Sequence, residues 1–218
     1  MTQSRFDIEA LLPALTAGKL ILVPNQRTRE ALIHSANLAA DKQVWRWPRV
    51  EAIDIWLKEL WLRHAAMGLE HFCNLQLIDT TEELFIWLKL VESSLDETPL
   101  LNPEETAGSL SRSYQLSRQW LIDADADDLL TSYAGIPDVA AFLRWVQQFR
   151  NFCQRYELVS LADLAHLLLD HIALLELEPE IVLVNFFQPP PLYQKLFLAL
   201  EARVKLSRLE CNLAATGR

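Results

Sequence analysis

Residues 181–196 read Ile181-Val182-Leu183-Val184-Asn185-Phe186-Phe187-Gln188 and then Pro189-Pro190-Pro191-Leu192-Tyr193-Gln194-Lys195-Leu196. The run that opens this stretch is apolar and rich in β-branched residues, which is typical of a strand buried on both faces. The prolines end the strand because proline has no backbone N–H to donate to a neighbouring strand. The spacing that follows predicts a helix over Tyr193–Ala202 and a further strand over Val204–Leu209. Strand, turn and helix in this order indicate an α/β unit.

The same order occurs near the N-terminal end of the sequence. Lys19–Val23 reads as a second buried strand, because it is a short apolar run that follows a glycine. Pro24 and Asn25 end it, and Gln26–Ala40 continues with apolar residues at helical spacing. A short strand is also predicted over Val44–Trp47. The two ends of the chain therefore predict one small parallel sheet.

The middle of the chain is predicted to be helical. Four tryptophans of this region lie on apolar helix faces and are expected in the core, namely Trp56, Trp61, Trp87 and Trp145. The helix that begins at Thr80 is expected to carry a capping box formed by Thr80 and Glu83. Asp54 is expected to cap a helix over Ile55–Ala66. The predicted helices of this region are Ile55–Ala66, one opened by Thr80-Thr81-Glu82-Glu83, Glu104–Ile122, Val139–Tyr156 and Leu161–Leu175.

The predicted fold class is therefore α/β and mostly helical, with a small parallel sheet built from both ends of the chain and a helical insertion. Residues 1–50 and 176–218 would form the sheet domain, and residues 51–175 would form the insertion. The 218 residues are enough to bury a substantial core.

Composition restricts the classes of function. The net charge is −9, whereas a free-standing nucleic-acid-binding protein is usually basic. Any contact with DNA must therefore be local or must depend on a partner. The three cysteines, Cys73, Cys153 and Cys211, are far apart in sequence, which indicates a reducing, cytoplasmic compartment. No apolar stretch reaches the roughly 18 residues that span a bilayer, so no membrane contact is expected.

Motifs for catalysis are missing from the sequence. It contains no Gly-x-x-x-x-Gly-Lys-Ser/Thr loop to cradle phosphates, and no Gly-x-Gly-x-x-Gly, His-Glu-x-x-His or Gly-x-Ser-x-Gly motif. His166 and His171 are five residues apart, which is poor spacing for a helical metal pair. The acidic run around Asp123–Asp128 lacks the glycine and the final glutamate of a calcium loop. We predict no catalytic residue, no metal and no cofactor in this chain.

Several segments resemble one family, the AddB-like bacterial DNA-repair proteins of the PD-(D/E)XK nuclease class. Leu20–Leu32 is similar to that family's segment after the first strand. Val44–Trp61 resembles its Trp-x-x-Pro followed by Trp-Leu-x-x-Leu-Trp. Phe142–Leu169 resembles its Phe-Leu-x-Trp helix and the short Asp-containing helix that follows, and Ile181–Leu200 is similar to its final strand and helix.

The resemblance implies a RecA-like core related to domain 1A of superfamily 1 helicases, in which the motor has decayed. Asn185, Phe186 and Gln188 would occupy degenerate Walker B positions, where an active motor carries Asp-Glu-x-Gln. Asn185 brings no charge to hold Mg²⁺, and Phe186 cannot act as a base. The nuclease motif of the family is not identifiable in this chain. The resemblance therefore implies a non-enzymatic, N-terminal part of a longer exonuclease.

Candidate DNA-contacting residues follow the first strand and lie in the tryptophan-rich segment. Ligands of open α/β sheets bind at the carboxyl ends of strands, and arginine can bond phosphate bidentately. A solvated turn and a first helical face, and packing of Trp45 and Trp47 in a core, remain alternative interpretations. The candidates are Asn25, Gln26, Arg27, Arg29, Arg46 and Arg49.

Two functions from different classes are consistent with these features. The first is a helicase-like domain without catalysis, which positions DNA or partner domains for a nuclease site elsewhere. Its partners would be single-stranded or end-containing DNA, and a C-terminal nuclease domain or a helicase–nuclease partner subunit. The alternative is a protein–protein scaffold with no affinity for DNA, which the net charge of −9 favours.

Overall fold

The structure is a computed structural model that describes residues 6–39, 48–94, 102–122 and 136–212. Helices dominate these residues, and six strands form one four-stranded and one two-stranded sheet. In chain order, the helices are α1 (Leu12–Thr16), α2 (Gln26–Ala39), α3 (Ile53–Ala66), α4 (Glu70–Cys73), α5 (Thr80–Ser93), α6 (Pro103–Gln119), α7 (Pro137–Arg155), α8 (Leu161–Asp170) and α9 (Pro191–Glu201). The strands are β1 (Leu20–Val23), β2 (Val50–Ala52), β3 (Gln76–Leu77), β4 (Leu158–Val159), β5 (Glu180–Val184) and β6 (Lys205–Leu209).

The four-stranded sheet is parallel throughout and has the order β2-β1-β5-β6. All four residues of β1 are buried, because a central parallel strand is covered on both faces. In register, Ile21 pairs with Val50 on one side and with Val182 on the other. The predicted α/β class, with a parallel sheet made from both ends of the chain, is confirmed.

Residue contacts divide the chain into two compact units. The first comprises 1–62, 171–189 and 196–218, and the second comprises 63–170 and 190–195. In the first unit, one face of the sheet packs against α2 through Leu32, Ile33 and Ala36. The domain limits drawn from the sequence, 1–50 with 176–218 and 51–175, stay a prediction.

The second unit has an aromatic centre. Trp87 stacks on Phe149 with ring centroids 4.2 Å apart, and Tyr114 meets the edge of Phe149 at 5.3 Å. All three side chains are buried, so each contributes apolar area and a ring contact to this core.

The four tryptophans expected in the core, Trp56, Trp61, Trp87 and Trp145, are all buried, which confirms that prediction.

Local predictions differ from the structure at two helix starts. The box at α5 is formed by Asp79, whose carboxylate accepts the N–H groups of Thr81 and Glu82, while Glu82 accepts the N–H of Asp79. The predicted cap, Thr80, therefore lies one residue after the observed cap, Asp79. Helix α3 begins at Ile53, directly after β2, so Asp54 lies in its first turn. An early Asp still complements the positive end of the helix dipole.

The strand beside β1 was not among those predicted: the structure forms β2 at Val50–Ala52. The predicted strand over Val44–Trp47 lies outside the described residues. Val50 and Ala52 face the core, whereas Glu51 between them is only half-buried. This short alternation is too brief to stand out in the sequence as a strand.

Candidate functional site

The turn after β1 leads directly into α2. Asn25 caps that helix, because its Oδ1 accepts the Thr28 N–H at 2.9 Å and the Thr28 hydroxyl at 3.1 Å. Gln26 is exposed, and its Nε2 donates to Glu30 Oε1 at 3.2 Å. The first turn of α2 is thus closed by its own side chains.

Arg27 and Arg29 lie in the same helical turn but point to different surroundings. Arg29 Nε donates to the Val50 carbonyl at 2.7 Å and lies 3.3 Å from Glu51 Oε2. Arg29 therefore ties α2 to β2. Arg27 is exposed, and no ion pair joins it to another described residue. Residues two apart in a helix lie on nearly opposite sides, so the structure separates these two candidates.

Arg49 precedes β2 and is also paired within the chain. Its Nη2 lies 2.9 Å from Glu178 Oε1. Half of its side chain is still exposed, at 49%. Arg46 lies outside the described residues.

Asn185 follows β5 with a positive φ of 60°, a left-handed conformation that asparagine tolerates better than most residues. Its Nδ2 donates to the Cys211 carbonyl at 3.2 Å, and its Oδ1 accepts the Cys211 N–H at 2.8 Å. Its own backbone N–H donates to the Leu209 carbonyl at 3.1 Å. The side chain thus extends the pairing of β5 with β6 by one step, and both of its polar atoms are used.

The residues after Asn185 divide between core and surface. Phe186 packs edge-on against Phe197, with ring centroids 5.0 Å apart. Phe187 is 64% exposed, and Gln188 is exposed. None of the three predicted Walker B positions therefore presents an acidic group at the sheet edge, and Asn185 and Phe186 serve packing and pairing.

A pocket of about 580 Å³ lies at the carboxyl ends of the strands in the first unit. It is bounded by the residues that follow β1, β5 and β6, together with Thr28 of α2 and Phe6. None of the described residues that line it carries a formal charge at neutral pH. The lining residues are Phe6, Pro24, Asn25, Thr28, Asn185, Phe187, Cys211 and Asn212.

The pocket lies where the chain reverses direction across the sheet. From β1 the chain passes through α2 to β2 on one side, and from β5 it passes through α9 to β6 on the other. The carboxyl ends of β1 and β5 therefore meet at a topological switch point, where open α/β sheets bind their ligands. Sequence reasoning found Asn25 and Asn185 here but missed Phe6, Cys211 and Asn212.

Cys211 is the only thiol among the lining residues. Burial, with a smaller effect of the Asp7 carboxylate, raises the pKa of this thiol. A thiol with a raised pKa is a weak nucleophile at neutral pH, because the thiolate is the reactive form. Cys211 therefore lines the pocket and hydrogen-bonds Asn185 through its backbone.

Neither a metal-binding cluster nor a membrane-spanning helix occurs among the described residues. They contain no group of three or more His, Cys, Asp or Glu side chains placed to hold a metal ion. No helix among them is both long and apolar enough to cross a bilayer.

No protein-family model matches the chain, and no curated protein matches it significantly.

Proposed function

We propose that this chain is a non-catalytic, helicase-like domain of a bacterial DNA-repair nuclease, and that it positions DNA for an active site elsewhere. One observation supports this most: the Asn185 side chain, which the resemblance assigns to the position of the first Walker B carboxylate, hydrogen-bonds both the N–H and the carbonyl of Cys211. A side chain engaged in this way is not available to hold Mg²⁺.

The turn between β1 and α2, where a motor would carry its phosphate loop, supports the proposal as well. A phosphate loop places several free backbone N–H groups around the ligand. In this chain only Pro24 and Asn25 separate β1 from α2, and Asn25 already accepts the Thr28 N–H. The proposed domain would thus retain the sheet of a motor without its nucleotide chemistry.

The DNA contact that we propose centres on Arg27. It is exposed at the start of a 14-residue helix, where the positive end of the helix dipole also favours a phosphate. Arg29 and Arg49, in contrast, already face Glu51 and Glu178. We propose a reducing, cytosolic setting, since Cys73, Cys153 and Cys211 are free thiols.

Fluorescence anisotropy with single-stranded and forked DNA tests this function. We expect binding that weakens steeply as salt rises, because phosphate contacts release counterions. Arg27→Ala should weaken binding to all sequences and reduce the salt slope by about one. Arg112→Ala is the matched control, because Arg112 is an exposed arginine of α6. No binding at low salt, or equal loss in both variants, would contradict the proposal.

A second candidate is a protein–protein scaffold without DNA affinity. The observation in its favour is that Arg29 and Arg49 are paired with acidic residues in a chain of net charge −9. If the chain is a scaffold, we expect no salt-dependent DNA binding. We expect instead a stable complex with a nuclease domain or a helicase–nuclease subunit. Size-exclusion chromatography of the mixture, with and without DNA, distinguishes the two functions.

A further inference from the structure

The pocket at the switch point has the lining of a site for an uncharged ligand. Its described lining residues include neither a carboxylate nor a cation. Neither Arg27 nor Arg29 lines the pocket, and Arg29 donates to the Val50 carbonyl and pairs with Glu51 instead. A phosphate or carboxylate inside the pocket would therefore lack the charged partner that such groups need when they leave water.

Aromatic and amide groups are what the pocket offers. Phe187 lines the pocket and is 64% exposed. Asn25 uses only its Oδ1 for the helix cap, so its Nδ2 is available. The side-chain amide of Asn212 makes no hydrogen bond with another described residue. Asn185, whose amide is bound to Cys211, contributes only shape.

These groups match the chemistry of a nucleobase. The Asn212 amide presents a donor and an acceptor in one plane, which is how asparagine pairs with the edge of a base, and Asn25 adds a donor through its Nδ2. A phenylalanine ring stacks on any base, because every base has a π face. The volume of about 580 Å³ lies within the range of about 300–1,000 Å³ typical of small-ligand sites.

We propose that this pocket binds an uncharged nucleobase, with Phe187 as the stacking surface and the amides of Asn25 and Asn212 on the base edge. Any phosphate joined to that base stays outside the pocket. The base comes either from a free nucleoside or from an unpaired DNA strand. The second source rests on the function proposed above, and the first does not.

Saturation-transfer NMR on the whole chain tests the pocket directly. The probes are adenosine, thymidine and deoxyribose 5-phosphate. We expect transfer to the base protons of the nucleosides and none to deoxyribose 5-phosphate. Phe187→Ala should weaken nucleoside binding at least about fivefold, since it removes the stacking surface, and Asn212→Ala should weaken it less. Phe85→Ala is the control, because Phe85 is similarly exposed, at 59%, on α5.

A single-stranded oligonucleotide that carries 2-aminopurine separates the two sources. Binding through the pocket should change its fluorescence, and Phe187→Ala should remove the change. Nucleoside binding without DNA binding would support the pocket assignment and contradict the proposed function. DNA binding that needs Arg27 but not Phe187, without any nucleoside signal, would overturn the pocket assignment alone. Equal binding of nucleosides by the Phe187→Ala and Phe85→Ala variants would also overturn it, as would binding of deoxyribose 5-phosphate.

Discussion

The side-chain amide of Asn185 hydrogen-bonds both backbone groups of Cys211, which is 26 residues later in the chain. The contact joins the ends of β5 and β6 just beyond their regular pairing. An aspartate could accept the Cys211 N–H but could not donate to the Cys211 carbonyl. The amide at this position therefore has a structural reason that is independent of any nucleotide.

The first prediction concerns this pair. Asn185→Asp should lower the free energy of unfolding by about 1–3 kcal/mol, because it removes a buried hydrogen bond and places a carboxylate against a carbonyl. Urea denaturation at neutral pH measures the change. Asn25→Asp is the matched control, since Asn25 caps α2 only as an acceptor, and Asp is an equally good cap. Equal destabilisation by the two substitutions would show that the pairing with Cys211 does not matter.

The second prediction compares the two arginines of α2. Arg29→Ala should destabilise the fold by about 1 kcal/mol, because it breaks a charged hydrogen bond to the Val50 carbonyl and an ion pair with Glu51. Arg27→Ala should change stability by less than about 0.5 kcal/mol, as is usual for exposed positions. Thermal and urea unfolding of both variants check this contrast. A larger loss at Arg27 would contradict the assigned roles.

The third prediction tests the cap of α5. Asp79→Ala should cost about 1 kcal/mol, since the Asp79 carboxylate accepts the N–H groups of both Thr81 and Glu82. Thr80→Ala should be nearly neutral, because Thr80 is exposed and already lies inside the helix. Urea unfolding midpoints measure both. A larger loss of stability in Thr80→Ala than in Asp79→Ala would show that Thr80 is the cap, as the sequence predicted.

The fourth prediction concerns the buried carboxyl of Glu83 in the second unit. Its Oε1 accepts the Trp87 indole N–H at 3.2 Å and the Ser111 hydroxyl at 2.9 Å. Burial raises the pKa of this carboxyl above its ordinary value of 4.5, the two hydrogen bonds oppose the shift, and the Asp163 charge adds to it. The folded state therefore holds this proton to a higher pH than the unfolded state does.

The contribution of Glu83 to the free energy of unfolding therefore falls as the pH rises from below 4.5 through the raised pKa that Glu83 has in the folded state. Glu83→Gln keeps an acceptor for Trp87 and Ser111 and removes the charge. The variant should lose less stability than the parent chain over this pH window, as measured by urea unfolding at several pH values. Glu105→Gln is the control, because Glu105 is exposed. Identical pH profiles for the parent and Glu83→Gln would contradict the prediction.

Local patterns in the sequence were sufficient for much of the fold. The segments Lys19–Val23 and Ile181–Phe186 predicted the two central strands, because a strand covered on both faces is apolar throughout. The structure has these strands at Leu20–Val23 and Glu180–Val184. Helical spacing placed Trp87 and Trp145 in the core. The capping box was displaced by one residue, because Asp79 and Thr80 are both acceptable caps and only backbone geometry distinguishes them.

The sequence by itself determined the fold class and the lack of a phosphate loop, because both depend on residue types at neighbouring positions. Tertiary structure alone decided which candidate side chains are available. Arg29 meets Val50 across 21 residues of chain, and Asn185 meets Cys211 across 26, and no local pattern encodes such pairings. The uncharged pocket is likewise assembled from the ends of three parallel strands that are remote in sequence. Its chemistry exists only once the sheet has formed.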